Sequence, residues 1–316
     1  MTPIEVRPFR RGDRDQLTQL VNAHAAAVVP GVSASVSSVL ASLERRPGEF
    51  IVDPWVSERV TLVAQQAERV AAAAHLLRYF SDERAGHAVR NTGEIKWLLF
   101  WPDAPEGNRY WADATPAAEV LMTACIAQLE EWRVTQHADG ELPVPGVYGV
   151  PEQWPHISAL YERAGFKHQG HTEIVYLATL ADLPRPAQLP VAGLSVRRRV
   201  GMNGTRLSAV LGDDEVIGYI EVEVFDDGER LSRRGGLADV GNLRVAEPYR
   251  RCGVGSWLLS QAADWLNLAG VDRLLDYAWL EGTDPGGIDY ADQRAFLAAV
   301  GFHELTRTRR GWARGA

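Results

Sequence analysis

Residues 246–259, AEPYRRCGVGSWLL, bring two arginines and two glycines together within six positions. Arginine donates paired hydrogen bonds to phosphate oxygens, and glycine allows a ligand to approach the backbone closely. The first amide groups of an α-helix lack internal partners and lie at the positive end of the helix dipole. A loop of this composition that opens a helix is therefore suited to bind a diphosphate.

The segments on either side of this loop predict the elements that position it. LADVGNLRV, residues 237–245, is typical of a buried strand. After the loop, apolar residues recur at helical spacing until Gly270, a typical helix stop. The pattern Arg250-x-x-Gly253-x-Gly255 lacks the Lys-Ser/Thr pair of a P-loop and the third glycine of a dinucleotide fingerprint. The sequence therefore predicts a different kind of phosphate loop between a strand and a helix.

The composition excludes several classes of protein. A net charge of −8 argues against nucleic-acid binding, which needs a basic face. The two cysteines, Cys125 and Cys252, are too far apart in sequence for a typical zinc motif and form no disulfide framework. No apolar run is long enough to span a membrane, and the first residues carry charges where a secretory signal needs an apolar core. We expect a cytoplasmic protein without a metal, whose partners are small molecules.

Four pairs of similar segments follow one another in the same order in both halves of the chain. Residues 4–9 resemble residues 194–199, an offset of 190 positions. Two strand–turn–strand segments, and the strands after them, match at an offset of about 146 positions. Residues 159–166 resemble residues 295–302, an offset of 136 positions. The first fall in offset means that the second copy lacks about 44 residues, which form a helical pair in the first. Such self-similarity predicts two related domains.

The domain limits follow from composition. Residues 180–193 carry three prolines and few charges, as in a semi-rigid linker. We predict an N-terminal domain over 1–179 and a C-terminal domain over 194–316. The apolar segment 172–180 is then expected to be the closing strand of the first sheet.

The R-x-x-G-x-G pattern between an apolar strand and a helix resembles motif A of the GNAT superfamily of acyl-CoA N-acyltransferases. The order of predicted strands and helices is also similar in both halves, with LYERAGF (160–166) as the sharpest match in the first. The resemblance implies an α/β (α+β) protein of two tandem GNAT-like domains. Each domain would be a mixed, mostly antiparallel twisted sheet flanked by helices.

The resemblance also implies how acetyl-CoA is held in the C-terminal domain. The sheet would separate between its fourth and fifth strands, and main-chain groups of Leu243, Arg244 and Val245 would bind the pantetheine arm. The pyrophosphate would lie on the loop, whose residues are Arg250, Arg251, Cys252, Gly253, Val254, Gly255 and Ser256.

The general base is sought six residues before the end of the fourth strand, where some GNAT enzymes have a glutamate. That position is Asp239. A buried carboxylate there could remove a proton from the amine, whereas an acid at a strand start can equally be a cap or a solvated group. Glu221 and Glu223 are substitutes for the base, candidates to bind a cationic substrate, or solvated side chains.

The general acid of the family is often a tyrosine about four residues before a Gly-Phe pair. The first half has Tyr161 at that position, but the second half has Leu297. Tyr290 is our candidate for the acid, with Tyr277 on the preceding strand as an alternative, or the thiolate leaves without an acid.

Two functions stay open. The first is an N-acetyltransferase that moves an acetyl group from acetyl-CoA to a primary amine of a small molecule. The second is a non-catalytic acyl-CoA-binding sensor or structural relative. Because the second half lacks the helices that usually line the acceptor site, we expect the first half, from the same chain or a partner in a homodimer, to supply the missing wall.

Overall fold

A computed structural model describes residues 3–44, 54–102, 113–224, 236–283 and 289–315. The chain forms two compact units. The first consists of residues 1–172 together with 308–316, and the second of residues 173–307. No helix formed by the described residues is both long enough and apolar enough to cross a membrane.

The described residues of the first unit form a seven-stranded sheet with four α-helices. Its elements are β1 (Ile4–Pro8), α1 (Arg14–Val28), α2 (Val36–Leu43), β2 (Val56–Gln66), β3 (Arg69–Tyr79), β4 (Thr92–Phe100), α3 (Thr115–Trp132), β5 (Thr135–Ala138), β6 (Val150–Pro151), α4 (Pro155–Arg163), β7 (Phe166–His168) and, from the far end of the chain, β15 (Trp312–Arg314). The strand order is β1-β2-β3-β4-β5-β15-β7, and β4 and β5 are its parallel pair. Strand β6 lies outside this sheet and pairs with residues 308–309.

The second unit repeats much of this plan without the first two helices. Its elements are β8 (Thr172–Thr179), β9 (Leu194–Val200), β10 (Thr205–Leu211), β11 (Glu215–Val224), β12 (Gly236–Val245), α5 (Val254–Leu268), β13 (Val271–Trp279), α6 (Tyr290–Ala299) and β14 (His303–Arg309). The strands lie in the order β14-β8-β13-β12-β11-β10-β9, with β12 and β13 parallel. The predicted fold class, mixed and mostly antiparallel sheets flanked by helices, is confirmed.

Helix α5 packs against one face of this second sheet. Its buried face comprises Val254, Trp257, Leu258, Leu259, Ala262, Ala263 and Leu266. These side chains share a core with residues of β10, β11, β12 and β13. In β10 and β12 the core residues alternate, as Leu207 with Ala209 and Ala238 with Val240. The packing fixes the direction in which the amino end of α5 points, and Gly270 turns the chain after it with φ of 74°.

The missing helical pair is confirmed. A four-residue turn, 201–204, connects β9 to β10 directly, whereas α1 and α2 occupy the corresponding interval of the first unit. The strand–turn–strand segment predicted in the second half is present as β10 and β11, and Gly212 begins the turn between them with a φ of 61° that favours glycine.

Two expectations about the boundary between the halves are corrected. The segment after residue 172 does not close the first sheet: β8 pairs with β13 in the second, and the first sheet receives β15 between β5 and β7 instead. The proline-containing segment 180–193 belongs to the second unit, because Leu180 and Leu183 are buried in its core. The compact units thus differ from the predicted domains 1–179 and 194–316 by an exchange of strands. Alternation of apolar residues predicts that a segment is a strand, but not which sheet it joins.

Candidate functional site

The parallel strands β12 and β13 separate part-way along their length. Their register runs from Gly236 opposite Val271 to Asp239 opposite Leu275 and ends there. Strand β12 continues to Val245, paired with β11 on its other side, and β13 continues paired with β8. A gap between β12 and β13, the fourth and fifth strands counted from β9, therefore opens beyond Asp239.

A bulge in β12 accompanies this separation. Val222 of β11 pairs with Val240 and Glu221 with Asn242, so Gly241 is the extra residue. A bulge bends its strand and increases its twist, which is consistent with β12 leaving β13 at this point.

The backbone groups of β13 that face the gap form hydrogen bonds to side chains instead of to a neighbouring strand. The Tyr277 amide donates to Asp276 Oδ1 at 2.7 Å, and the Tyr277 carbonyl accepts from Gln293 Nε2 at 3.1 Å. The carbonyl of Trp279 accepts from Arg294 Nη1 at 2.9 Å. Asp276, Gln293 and Arg294 thus satisfy backbone groups at a place where the ladder is interrupted. The sequence analysis did not identify these three residues. The sequence contains a sign of the role of Asp276, because its carboxyl stands inside the apolar run LLDYAW. It contains no such sign for Gln293 or Arg294.

The predicted phosphate loop leads from the end of β12 to α5. A 3₁₀ turn, Glu247–Tyr249, is followed by two left-handed residues, Arg251 with φ of 63° and Gly253 with φ of 87°. Gly253 is the N-cap of α5, and none of the described side chains caps this helix terminus. The first amide groups of α5 are therefore available to an anion.

Gly255 lies in the first turn of α5 with little space around it. A Cβ atom at this position would lie 3.2 Å from the ring of Phe296. The glycine therefore allows α6 to pack close to the start of α5, in addition to leaving the backbone accessible.

The side chains of the loop differ in how firmly they are held. Arg250 Nε donates to the carbonyl of Val245 at 3.2 Å, which ties the loop to the end of β12. The side chain of Arg251 is 89% exposed and lies 4.0 Å from Asp292, so it is able to turn toward a ligand. Cys252 is an exposed free thiol.

Asp239 lies at the last paired position before the gap and is 9% exposed. Burial, followed by the charge of Glu223 directly opposite on β11, raises the pKa of Asp239 to about 7. The Tyr277 hydroxyl donates to Asp239 Oδ2 at 3.5 Å and acts in the opposite direction. A carboxyl with this pKa exists in both protonation states near neutral pH, as a general base requires.

The two glutamates of β11 differ. Glu221 is 1% exposed, and its Oε1 accepts from Arg206 Nε at 2.7 Å and from the Met202 amide at 3.1 Å. We assign Glu221 to holding the β9–β10 turn, in place of the predicted substrate contact. Glu223 is exposed beside Asp239 and stays a candidate for substrate binding.

The structure distinguishes the two candidate acids, Tyr290 and Tyr277, and places the leucine that replaces the usual tyrosine. Leu297 is buried in the core. Tyr290 begins α6, and the centroid of its ring lies 5.6 Å from the centroid of the Trp279 ring. Among the described contacts, the tyrosine that reaches Asp239 is Tyr277 and not Tyr290.

Comparison with known proteins gives a family match for part of the second unit. Residues 197–296 match the model of the acetyltransferase (GNAT) family. These residues form a GNAT domain. A search of curated protein sequences gives no match.

Solved structures extend the fold to the whole chain. A tandem GNAT protein from the clavulanic acid biosynthesis pathway is 15% identical with a TM-score of 0.61, and the match covers 98% of both chains. A GCN5-related N-acetyltransferase from Sphaerobacter thermophilus is 16% identical with a TM-score of 0.58, and the match covers 99% of this chain and 96% of that one. A glucosamine N-acetyltransferase region of a fungal multi-domain β-N-acetylglucosaminidase is 13% identical with a TM-score of 0.61, and this chain spans 38% of that protein. The chain therefore has a tandem GNAT fold.

The first unit has no such gap at the corresponding position among its described residues. Beyond the last parallel pair of β4 and β5, the Asp139 amide donates to the Ile95 carbonyl at 2.8 Å and the Glu141 amide to the Lys96 carbonyl at 3.1 Å. The chain thus continues to bind β4 where the GNAT domain of the second unit separates. Residues 103–112 of the loop after β4, which include Gly107, lie outside the described residues.

Among the residues that the structure describes, no group of three or more histidine, cysteine, aspartate or glutamate side chains is arranged to hold a metal ion.

Replacing Asp276 with asparagine is expected to stabilise the protein at pH 8. Burial raises the pKa of Asp276 to about 7 in the folded state, from 3.8. The folded protein therefore retains a proton that the unfolded chain has lost between pH 4 and 7, so that the carboxyl lowers stability progressively as the pH rises through this range. An asparagine oxygen can still accept the Tyr277 amide without a buried charge. We expect a gain of about 2–4 kcal/mol at pH 8 and little change near pH 4.

Denaturant unfolding of the full chain at both pH values measures this difference. The matched control is Asp264→Asn, since the Asp264 side chain is 61% exposed. An equal effect of the Asp276 variant at both pH values would contradict the interpretation.

Proposed function

We propose that the protein is an N-acetyltransferase that moves an acetyl group from acetyl-CoA to a primary amine of a small molecule, with the chemistry in the second unit. The observation that carries this proposal is the position of Asp239. A buried carboxyl whose pKa is near 7 lies where β12 and β13 separate, and β12 leads from there to the arginine–glycine loop.

The residues present fit acetyl-CoA. The amino end of α5 is uncapped by described side chains, and Gly253 and Gly255 leave its amides accessible. Arg250 and Arg251 supply guanidinium donors for the diphosphate. Leu243 and Val245 lie on the part of β12 that has left β13, with their main-chain groups directed toward the gap, and can bind an extended arm as a neighbouring strand would. The main chain of Arg244 faces β11 instead.

Asp239 then acts on the acceptor. It takes a proton from the amine, whose nitrogen forms a bond to the thioester carbonyl carbon, and the carbon–sulfur bond breaks when the tetrahedral intermediate collapses. Exposed Glu223 beside it attracts a protonated amine to the site. Positioning and proton transfer supply the catalysis, and no step calls for a metal.

Titration of the purified full-length protein with acetyl-CoA, followed by measurement of thiol release against a panel of small amines, tests this function. Acetylated product that forms in step with thiol release, above hydrolysis, supports the enzyme. Tight binding of acetyl-CoA with no transfer to any amine would favour the non-catalytic sensor. One observation favours the sensor: Leu297, which is buried in the core, stands where GNAT enzymes often have the tyrosine that acts as general acid.

We expect one molecule of CoA to bind per chain. The first unit keeps its backbone bonded along β4, through the Asp139 and Glu141 amides, where the second unit opens. It also lacks the R-x-x-G-x-G loop. Isothermal titration with CoA measures the stoichiometry, and two equivalent sites per chain would contradict this assignment. The contribution of the first unit to the acceptor site, the homodimer and the cytoplasmic location stay predictions.

A further inference from the structure

The β9–β10 turn, residues 201–204, folds back over the face of the second sheet that carries Asp239. Glu223 is the register partner of Asp239, so both side chains lie on this face, and Glu221 lies on it two residues earlier in β11. The Met202 amide donates to Glu221 Oε1 at 3.1 Å. The turn, which takes the place of two helices in the order of elements, therefore lies over β11.

Two glycines allow the turn to lie directly on the strands beneath it. A Cβ atom at Gly204 would lie 2.4 Å from the Val222 carbonyl oxygen, and one at Gly241 would lie 2.5 Å from the Cβ atom of Asn203. Gly241 is the bulge residue of β12, two positions after Asp239. The tip of the turn thus reaches from β11 to β12 and ends close to the candidate base.

A buried ion pair fixes the turn in this position. Glu221 is 1% exposed, and its carboxylate accepts from Arg206 Nε at 2.7 Å as well as from the Met202 amide. The Gly201 amide donates to the Gly204 carbonyl at 2.8 Å and closes the turn. Because a buried carboxylate is costly without its partners, the turn has little freedom to leave the sheet.

Met202 stands at the tip of this fixed turn with 87% of its surface exposed. Its backbone is held by Glu221, but folding gains little from a thioether that stays in water, and a polar residue would suit a turn equally well. On the other side of the turn, a Cβ atom at Gly204 would lie 3.0 Å from the Cα atom of Glu223, whose side chain is also exposed. An apolar side chain and a carboxylate therefore border the same part of the surface beside Asp239.

We propose that the turn is a wall of the acceptor site and that Met202 selects primary amines that carry an apolar chain. This inference rests on the proposed acetyl transfer. The ammonium group of such an acceptor is attracted by Glu223, while its chain lies against the thioether, which adapts to apolar groups of irregular shape. Hydroxyl groups at this place would lose water against Met202 without gaining a hydrogen-bond partner.

Two amines of equal length test this selection in the full-length protein. They are n-pentylamine and aminobutanol, in which a hydroxyl replaces the terminal methyl group. A methyl group that leaves water on the Met202 side chain should favour pentylamine by about fourfold or more in kcat/KM. The preference should appear in KM, with similar kcat for both amines, because the contact is the same before and during transfer.

Three variants assign the preference to one side chain. Met202→Ser should remove it, whereas Met202→Leu should keep it. Leu268→Ser is the matched control, since Leu268 is 84% exposed at the end of α5, and it should leave both KM values unchanged. The Kd for CoA should be the same in all three variants.

Methionine-methyl NMR reports the contact without turnover. The chain has three methionines, Met1, Met122 and Met202, and Met122 is buried. In the presence of CoA, added pentylamine should shift the methyl signal of Met202 and leave that of Met122 unchanged.

Equal kcat/KM values for the two amines in the wild type, or a preference that Met202→Ser leaves intact, would overturn the selection and leave the acetyltransferase standing. An unchanged Met202 methyl signal at pentylamine concentrations that saturate the enzyme would do the same. Failure of the wild type to acetylate any amine would overturn both proposals.

Discussion

Asp239→Asn is expected to lower kcat/KM for acetyl transfer by about 10²–10⁴-fold, the range of general base catalysis. Asparagine keeps the size of the side chain but accepts no proton from the amine. Because the pKa of Asp239 is raised to about 7 by burial and by Glu223, the base is increasingly protonated below that pH. The wild-type activity should therefore fall as the pH drops below about 7, and this limb should be absent from the residual activity of the variant.

A profile of kcat/KM against pH, measured on both sides of the pKa of about 7 for Asp239, checks this prediction. A titration with CoA accompanies it. CoA binding should be unaffected, since the carboxyl lies away from the loop along β12. Asp272→Asn, at an aspartate whose side chain is 56% exposed on β13, is the control. Activity of Asp239→Asn equal to that of this control would exclude Asp239 as the base.

Gly253→Ala is expected to weaken CoA binding by about tenfold or more. Gly253 has a φ of 87°, and a left-handed conformation costs an alanine about 1–2 kcal/mol. If the backbone relaxes to remove this strain, the amides that open α5 turn away from the diphosphate, and about 1.4 kcal/mol of lost binding corresponds to a factor of ten.

Gly212→Ala separates the effect on binding from the effect on folding. Gly212 has a φ of 61° in the β10–β11 turn, and an added Cβ atom would meet no described atom within 4 Å. Both variants should lose similar stability in denaturant, but only Gly253→Ala should raise the Kd for CoA in calorimetry. Equal affinities in the two variants would show that the loop does not hold the diphosphate.

The sequence predicts features that depend on local pattern. The arginines and glycines of the loop, the strand before it and the helix after it follow from composition and spacing. The change of offset between the two halves correctly predicts the loss of two helices from the second. Asp239, the position that the resemblance to the GNAT superfamily implies for the base, lies at the strand separation.

Other features depend on contacts between segments far apart in sequence. Whether the phenol at 277 or at 290 reaches Asp239 is decided by the pairing of β13 with β12 and by the anchoring of α6 through Gln293. The internal ion pair of Glu221 depends on Arg206 across the sheet. Alternation along one strand places a side chain on a face, but does not identify the groups opposite it.

The insertion of β15 between β5 and β7 has a consequence for how the polypeptide matures. The portion that leaves the ribosome first cannot complete its sheet until residues 308–316 have been synthesised. We expect nascent chains arrested before residue 308 to remain sensitive to protease throughout the early portion, and to gain resistance only when residues 308–316 are also present. The portion that is made first is thus the last to be finished.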